Sequence, residues 1–265
     1  MVIPREHGAW GMLLIPLTTS AVIAARSGMH FGALALFIVA AVSLFWLRTP
    51  VESWLGTSAI KAHTTDERVY VQRAVLGIGL LALVSITALL TSGYSRGLLL
   101  IGAVSALAFA AQAAVKKVGR KGRMPAQVIG AIGLTSTAAG AYYVATGRLD
   151  QTAVALWFAN WLFAGDQIHF VQLRIRSSRA ASCDQKLKQG FPFVISQVLL
   201  VAVVFAACRF GWLPAAIALA FAPVLLRGTF WFICRQQPLD VHKLGFSELR
   251  HALLFGALLC AAFLM

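Results

Sequence analysis

The sequence predicts an all-α polytopic membrane protein with about nine transmembrane helices. Of its 265 residues, 59% are hydrophobic and only 12% are charged, and the mean hydropathy is +0.79. A soluble domain normally carries about 25% charged residues, so most of this surface is expected to face lipid. Apolar runs of about 17–25 residues, the length of a spanning helix, recur along the chain. We therefore expect residues 1–265 to form a single membrane-embedded helical domain.

Turn-forming and polar segments separate the apolar runs into nine predicted spans. The connections on one side are short, with the sequences RSGMH, SGYSRG, TGRLD and CRFGW. Three connections on the other side are longer, at about 48–73, 172–191 and 228–247. Long polar connections often carry or cover a site, so we expect function on that side. The predicted spans are 9–25, 31–47, 74–91, 97–115, 126–147, 151–171, 192–208, 212–227 and 248–265.

Basic residues are divided unequally between the two sets of connections. One side has Arg26, Arg96, Arg148 and Arg209, and every other Lys and Arg falls on the opposite side. The positive-inside rule makes the richer side cytoplasmic. The N-terminus is therefore predicted inside and the C-terminus outside, in the bacterial inner membrane. Because the basic residues lie in loops between apolar runs, anionic membrane lipids explain the net charge of +14 better than nucleic acid does.

The fifth span, with the sequence GAIGLTSTAAGAYY, is rich in small residues and hydroxyls. Gly133, Thr137 and Gly140 define a stripe that lets another helix approach closely, or alternatively a substrate groove. Helix packing is the commoner role of such a stripe.

The sixth span ends in WLFAGDQIHFVQLRIRS, which places a carboxylate near membrane depth. A charge at a helix centre costs about 2.5–3.5 kcal/mol on insertion scales, so Asp166 needs a cation, a metal or a proton. His169 lies three residues further on and shares its helix face. The expected partners are therefore His169 and a basic residue from another helix, with Arg174 close by.

Two further segments bring ionisable residues to the same predicted face. The opening PREHGAW places Glu6 and His7 at the entrance of the first span. LRTPVESW places Arg48 and Glu52 four residues apart, with Pro50 between them expected to break the helix.

The connection before the last span adds Arg227, His242 and Glu248 to this group. Together these residues predict a cationic, cytoplasmic-facing cavity, although interface charges or structural ion pairs would give the same pattern. In this cavity the candidate catalytic residues are Asp166, His169, Glu6 and His7. The candidate substrate-binding residues are Arg48, Glu52, Arg174, Arg227, His242 and Glu248.

PREHGAWGMLLIP, the RTP after the second span, RIRS after the sixth and KLGFSEL before the last together resemble the YwiC-like family of bacterial integral membrane proteins. The resemblance extends over nearly the whole chain, and HGAW is its most specific element. It implies a membrane location but no particular reaction.

The architecture is also similar to the UbiA superfamily of intramembrane prenyltransferases. That resemblance implies isoprenoid diphosphate binding through magnesium, with acidic motifs near 48–73 and Asp166. The first region has Glu52, Asp66 and Glu67 but no NxxxD or DxxxD spacing, and the second has one aspartate. A two-magnesium clamp needs more carboxylates, so arginines and histidines would hold a diphosphate directly.

Three functions are therefore considered. The leading one is binding or processing of an isoprenoid or other anionic lipid. Processing would make the protein a divergent prenyltransferase-like enzyme that lacks the usual aspartate-rich motifs. The cofactor is unassigned, and magnesium is the candidate. The second is a proton-coupled small-molecule transporter, with Asp166 and His169 as the proton-carrying pair. The third is a non-enzymatic assembly partner of a respiratory complex.

Overall fold

The computed structural model describes residues 7–54, 64–117, 119–178, 182–233 and 239–265, and these form an all-helical membrane protein. Glu6 lies outside the described residues, and at His7 and Glu52 the backbone is described but the side chain is not. The helices in the described ranges are α1 (His7–Ala24), α2 (Phe31–Trp54), α3 (Thr65–Leu89), α4 (Ser95–Lys116), α5 (Arg123–Thr135), α6 (Thr137–Thr146), α7 (Gln151–Ser177), α8 (Cys183–Arg209), α9 (Ile217–Ile233) and α10 (Val241–Leu264).

Among the described residues, five helical stretches are long and apolar enough to cross a membrane. They are Phe31–Val51, Asp66–Lys116, Arg123–Thr146, Asp184–Arg209 and Val241–Leu264, and Ile217–Ile233 is a shorter apolar helix. The longest stretch contains both α3 and α4, which meet at a kink where Gly93 has a φ of 93°. Only glycine adopts such a φ at little cost. The count of nine crossings stays a prediction.

The three long connections predicted on the cytoplasmic side are mostly helix. The expectation that Pro50 breaks a helix is wrong, because α2 continues through it to Trp54. Proline removes one backbone hydrogen-bond donor and strains the preceding turn of the helix. Pro50 lies only four residues before the end of α2, where the helix tolerates this loss. The next helix begins at a capping box, in which Thr64 and Glu67 exchange side-chain and backbone hydrogen bonds of 3.2 Å. Glu67 therefore has a structural role.

The eighth predicted span is displaced along the chain. Instead of 212–227, the helix α9 runs from Ile217 to Ile233, because a turn at Gly211, with a φ of 71°, precedes it. Arg227 was predicted at the boundary between this span and the next connection, but it lies within α9, six residues before its end. Glu248 likewise lies seven residues inside α10. At about 1.5 Å per residue, both are about 10 Å from the ends of their helices.

The inner helices of the bundle are α1, α6 and α7, and the outer surface is apolar. Residues of α6 and α7 such as Ala138, Val144, Leu156 and Ala159 are fully buried in the main core. On α3, α4 and α8, by contrast, many large apolar side chains are exposed, as expected of helices that face lipid.

The small-residue stripe of the fifth span packs against neighbouring helices, which confirms the packing interpretation. A Cβ atom at Gly140 would overlap the ring of Phe37 on α2. At Gly133 the nearest atom to such a Cβ is the backbone oxygen of Ser105 on α4, at 3.6 Å. Both glycines thus sit where another helix approaches closely.

Candidate functional site

Three charged side chains from three helices meet inside the bundle. Arg227 Nη2 on α9 lies 2.7 Å from Asp166 Oδ2 on α7, and its Nη1 donates to Glu248 Oε2 on α10. The side chains of Arg227 and Asp166 are only 7% and 2% exposed. We refer to Asp166, Arg227 and Glu248 as the ion triad. Such charges are costly to bury unless each is paired, so the geometry is constrained by all three helices.

Aromatic and amide side chains surround the ion triad. The guanidinium of Arg227 lies over the ring of Phe170, 4.0 Å from its centroid, in a cation–π contact. Gln197 of α8 donates through Nε2 to Asp166 Oδ1. Gln167 of α7 donates to the backbone oxygen of Glu248 at 2.9 Å. These two hydrogen bonds join α7 to α8 and α7 to α10 around the charges.

A glycine on α9 allows α8 to approach the ion triad. A Cβ atom at Gly228 would lie 2.9 Å from Phe193 Cε1 and 3.2 Å from Gln197 Oε1. Any larger residue would therefore force the side chains of Phe193 and Gln197 to shift. The second of these is the amide that donates to Asp166.

The ion triad is not fully satisfied by its neighbours. Among the described residues, no hydrogen-bond partner is present for the buried atoms Arg227 Nε, Glu248 Oε1 and Gln197 Oε1. Two carboxylates share one guanidinium, so the triad has an excess negative charge when all three groups are ionised. An unsatisfied buried polar atom costs about 1–3 kcal/mol, so its presence in a folded protein calls for an explanation, of which a functional role is one.

A cavity of about 620 Å³ opens beside Arg227. Its described lining includes Arg174 of α7, Lys186 of α8 and His251 of α10, but no carboxylate. Apolar residues of α9 form another wall. The described lining residues are Phe170, Arg174, Ser177, Ser178, Lys186, Pro223, Leu226, Arg227, Thr229, Phe230, Trp231, Ile233, Ser247 and His251.

Lys186 is a buried cation at one edge of this cavity. Its Nζ donates to the backbone oxygen of Trp231 at 2.7 Å and lies 4.6 Å from the centroid of the Trp231 ring. Only 3% of the residue is exposed. The ammonium group is therefore held in place next to the cavity by α9.

The structure brings four of the residues predicted from sequence to this site. Asp166, Arg227 and Glu248 form the ion triad, and Arg174 lines the cavity. The described partners of Asp166 are Arg227 and Gln197, so the predicted basic residue from another helix is Arg227. His169 is buried with its ring edge-on to Phe193, at a centroid distance of 5.2 Å.

The other predicted residues are not part of the described cavity lining. His242 is exposed in the first turn of α10, and its ring packs edge-on to Phe246. Arg48 is exposed near the end of α2. Glu6 and the side chains of His7 and Glu52 lie outside what the structure describes, so their part in a site stays a prediction.

The described start of α1 packs on the opposite side of α7 from the ion triad. Met12 contacts a cluster that contains Ala164 and Ile168. Ala164 lies two residues before Asp166 and Ile168 two residues after it. Their side chains are therefore each about 160° around the helix axis from that of Asp166. Thus α1 supports α7 at the level of Asp166 but contacts a different face.

Sequence reasoning missed Gln197, Lys186, Phe170 and His251. Gln197 had a visible signal, because it is a lone amide in the apolar segment FVISQVLLVAV, where an unpartnered polar group is costly. Lys186 resembled an ordinary interface lysine. Its burial depends on Trp231, which sequence alone does not place beside it.

The described residues contain no group of three or more His, Cys, Asp or Glu side chains arranged to hold a metal ion. The carboxylate of Asp166 is instead occupied by Arg227 and Gln197. A cation at that position would have to displace the guanidinium.

The helices and their lipid-facing surfaces define a multi-pass integral membrane protein. The family model for YwiC-like protein matches residues 3–143, which is just over half of the chain, so the chain belongs to the YwiC-like family. This match covers α1 to α5 and most of α6, and the ion triad lies beyond it. No curated protein and no solved structure matches the chain.

Proposed function

We propose that the protein binds a membrane amphiphile with a phosphate-type anionic head group, in the cavity beside Arg227 and on the cytoplasmic side. The observation that carries this proposal is that Arg174, Lys186 and Arg227 line one cavity, whose described walls contain no carboxylate. Isoprenoid diphosphates and anionic lipids are the ligand class that combines such a head group with a long apolar chain.

The polar part of the cavity suits a phosphate group. A guanidinium offers paired N–H donors that match phosphate oxygens, and a buried ammonium adds a point charge. Ser247 adds a hydroxyl group to the same walls, whereas Ser177 and Ser178 donate theirs to backbone oxygens of α7. A phosphate monoester or diphosphate would therefore meet the cations and the Ser247 hydroxyl together.

The apolar part of the cavity suits a chain that lies in the bilayer. Leu226, Phe230 and Ile233 line it and are exposed on the surface of α9. Their spacing of four and then three residues puts them on one helix face. A ligand could thus keep its chain among lipids while its head group contacts Arg174.

Binding is the proposed function, and a chemical step is not required by it. For prenyl transfer Asp166 would have to leave Arg227 before it could act as a base or a magnesium ligand. Catalytic roles for Asp166, His169, Glu6 and His7 stay predictions from the sequence, as does the role of an assembly partner.

Proton-coupled transport is a second candidate, favoured by the depth of Arg227 and Glu248 within their helices. Charges inside membrane helices commonly mark ion or substrate pathways. Uptake of a radiolabelled soluble anion such as pyrophosphate into proteoliposomes, driven by an imposed pH gradient, would support transport. Binding without uptake would leave the lipid-binding proposal in place.

Thermal unfolding of the detergent-purified protein tests the proposal. Geranylgeranyl diphosphate should raise the melting temperature more than pyrophosphate or geranylgeraniol alone, with and without magnesium. Equal stabilisation by pyrophosphate would indicate a soluble phosphate ligand, and no stabilisation by any probe would reject the proposal.

Matched variants locate the head group. Arg174→Gln and Lys186→Gln should each weaken binding about ten- to hundredfold, because a hydrogen bond to a charged group contributes about 1.5–3 kcal/mol. Arg176→Gln and Lys188→Gln are the controls, since both residues are exposed and lie two positions further along the same helices. Equal weakening in the controls would indicate a general charge effect.

A further inference from the structure

The ion triad has properties that binding alone does not need. Its two carboxylates compete for one guanidinium, and Glu248 Oε1 has no hydrogen-bond partner among the described residues. Arg227 also lines the cavity, and its buried Nε is unpartnered. Arg227 therefore contacts two internal carboxylates and also adjoins any anion in the cavity.

We propose that binding of an anionic head group to Arg227 is coupled to the uptake of one proton by the ion triad, with Glu248 as the acceptor. This inference rests on the proposed function and adds its regulation. The ligand class is a phosphate-type anion, and the coupled species is a proton from cytoplasmic water.

The exchange balances in charge and in atoms. When Arg227 Nη1 turns to a phosphate oxygen, its hydrogen bond to Glu248 Oε2 is lost. The carboxylate would then be a buried charge without its hydrogen-bonded cation, which is costlier than a neutral acid. An O–H bond forms on Glu248 with a proton from water, so that one anion and one proton enter together.

Glu248 is the better acceptor of the two carboxylates. Asp166 keeps a second donor, Gln197, at Oδ1 when one arm of the guanidinium moves. Asp166 Oδ2 also keeps its hydrogen bond of 2.7 Å from Arg227 Nη2, the guanidinium nitrogen that does not contact Glu248. Glu248 loses its guanidinium donor and has an unpartnered oxygen already.

Other ionisable groups lie on the helices around the ion triad and must be separated from Glu248. Arg174 of α7, Lys186 of α8 and His251 of α10 line the cavity, His169 of α7 packs against Phe193, and Arg250 of α10 is exposed. Residues 8–24 of α1 contain none, and α5 adds Arg123 at its exposed start. His251 is the main rival, because it lines the cavity and its Nδ1 lies 2.7 Å from the oxygen of Ser247.

Calorimetric titration with pyrophosphate and with geranylgeranyl diphosphate, in buffers of different ionisation enthalpy, measures the protons taken up on binding. The wild type should take up about one proton more than Glu248→Gln. As the pH rises, the apparent Kd of the wild type should increase by up to about tenfold per pH unit relative to the Kd of that variant. The probe titrates too, but it does so equally with both proteins, so the difference belongs to Glu248.

His242→Gln, at an exposed position outside the described cavity lining, is the control and should keep the uptake of the wild type, whereas His251→Gln tests the rival acceptor. The inference fails if Glu248→Gln takes up as many protons as the wild type, or if His251→Gln alone loses the uptake. If Glu248→Gln does not fold, His251→Gln takes its place in the comparison. Uptake beyond that of the free probe that persists in His251→Gln supports Glu248, and uptake that is lost there overturns the inference. Binding without extra uptake overturns only this coupling, whereas absence of binding overturns the proposed function as well.

Discussion

Arg227 on α9 and Asp166 on α7 form an ion pair of 2.7 Å whose side chains are almost completely buried. The pair joins residues 61 positions apart, and Glu248 of α10 shares the same guanidinium. The contact therefore links three helices and also forms part of a cavity wall. Arg227 therefore has both a structural role and a proposed binding role. Thermal unfolding measures the first, and ligand titration measures the second.

The structural role predicts that Arg227→Gln is strongly destabilising. The substitution leaves two buried carboxylates without their cation, and breaking a buried pair in this way costs about 3–5 kcal/mol. Thermal unfolding in detergent at neutral pH should show a clear decrease in melting temperature. The control Arg209→Gln, at an exposed position on α8, should unfold like the wild type.

A neutral ion triad provides the complementary test. In the triple variant Asp166→Asn, Arg227→Gln and Glu248→Gln, these three positions bury no charge, so part of the lost stability should return. If Arg227→Gln melts at the temperature of the wild type, the ion triad does not hold the helices together.

The depth of the ion triad explains why the sequence predicted its members but not their arrangement. A carboxylate in an apolar run is visible from sequence, and Asp166 was expected to need a basic partner from another helix. Arg227 and Glu248 were predicted at the boundaries of a connection because they lie at the ends of apolar runs. Helix ends depend on caps and on packing, such as the turn at Gly211 before α9, which hydropathy does not register.

The helical continuation of α2 has a similar origin. Pro50 is a helix breaker by local rules, but α2 extends through it to Trp54 and the proline itself is buried. Packing in the membrane outweighs the lost backbone bond. The small-residue stripe was predictable because glycine spacing directly determines how closely helices approach.

The stripe predicts that Gly140→Ala is destabilising. The new methyl group would overlap the ring of Phe37, and overpacking of this kind typically costs about 1–3 kcal/mol. The measurement is thermal unfolding of the purified variant. Gly102→Ala on α4 is the control, because no atom lies within 4 Å of its added Cβ and alanine favours the helix by about 0.5–1 kcal/mol. Equal stability of the two variants would contradict close packing at Gly140.

The charge distribution predicts the orientation of the chain and an odd number of crossings. Alkaline phosphatase is active only outside the cytoplasm, so fusions after Arg148 and after Met265 should be active. Fusions after Trp54, Lys117 and Ser178 should be inactive, since the positive-inside rule places those connections in the cytoplasm. Inactive enzyme after Met265 would exclude nine crossings with the N-terminus inside.

The start of α10 predicts a pH-dependent contribution to stability from Asp240, which lies just before the helix. Asp240 Oδ1 accepts hydrogen bonds of 3.0 Å from the backbone N–H groups of Lys243 and His242. The hydrogen bond from Lys243, together with the nearby positive charges, lowers the pKa of the Asp240 carboxyl. Because the folded pKa lies below the unfolded one, the stabilisation is complete at neutral pH. It is lost as the pH falls through the folded value.

Asp240→Ala should therefore unfold at a lower temperature than the wild type at neutral pH, with a difference that shrinks as the solution is acidified below the ordinary range of an aspartate. Asp240→Ser is the control, since its hydroxyl also caps a helix but does not titrate there. Its melting temperature should lie above that of Asp240→Ala, by an amount that stays constant with pH. A wild-type advantage over Asp240→Ala that persists unchanged in acid would show that the carboxylate charge does not stabilise the start of α10.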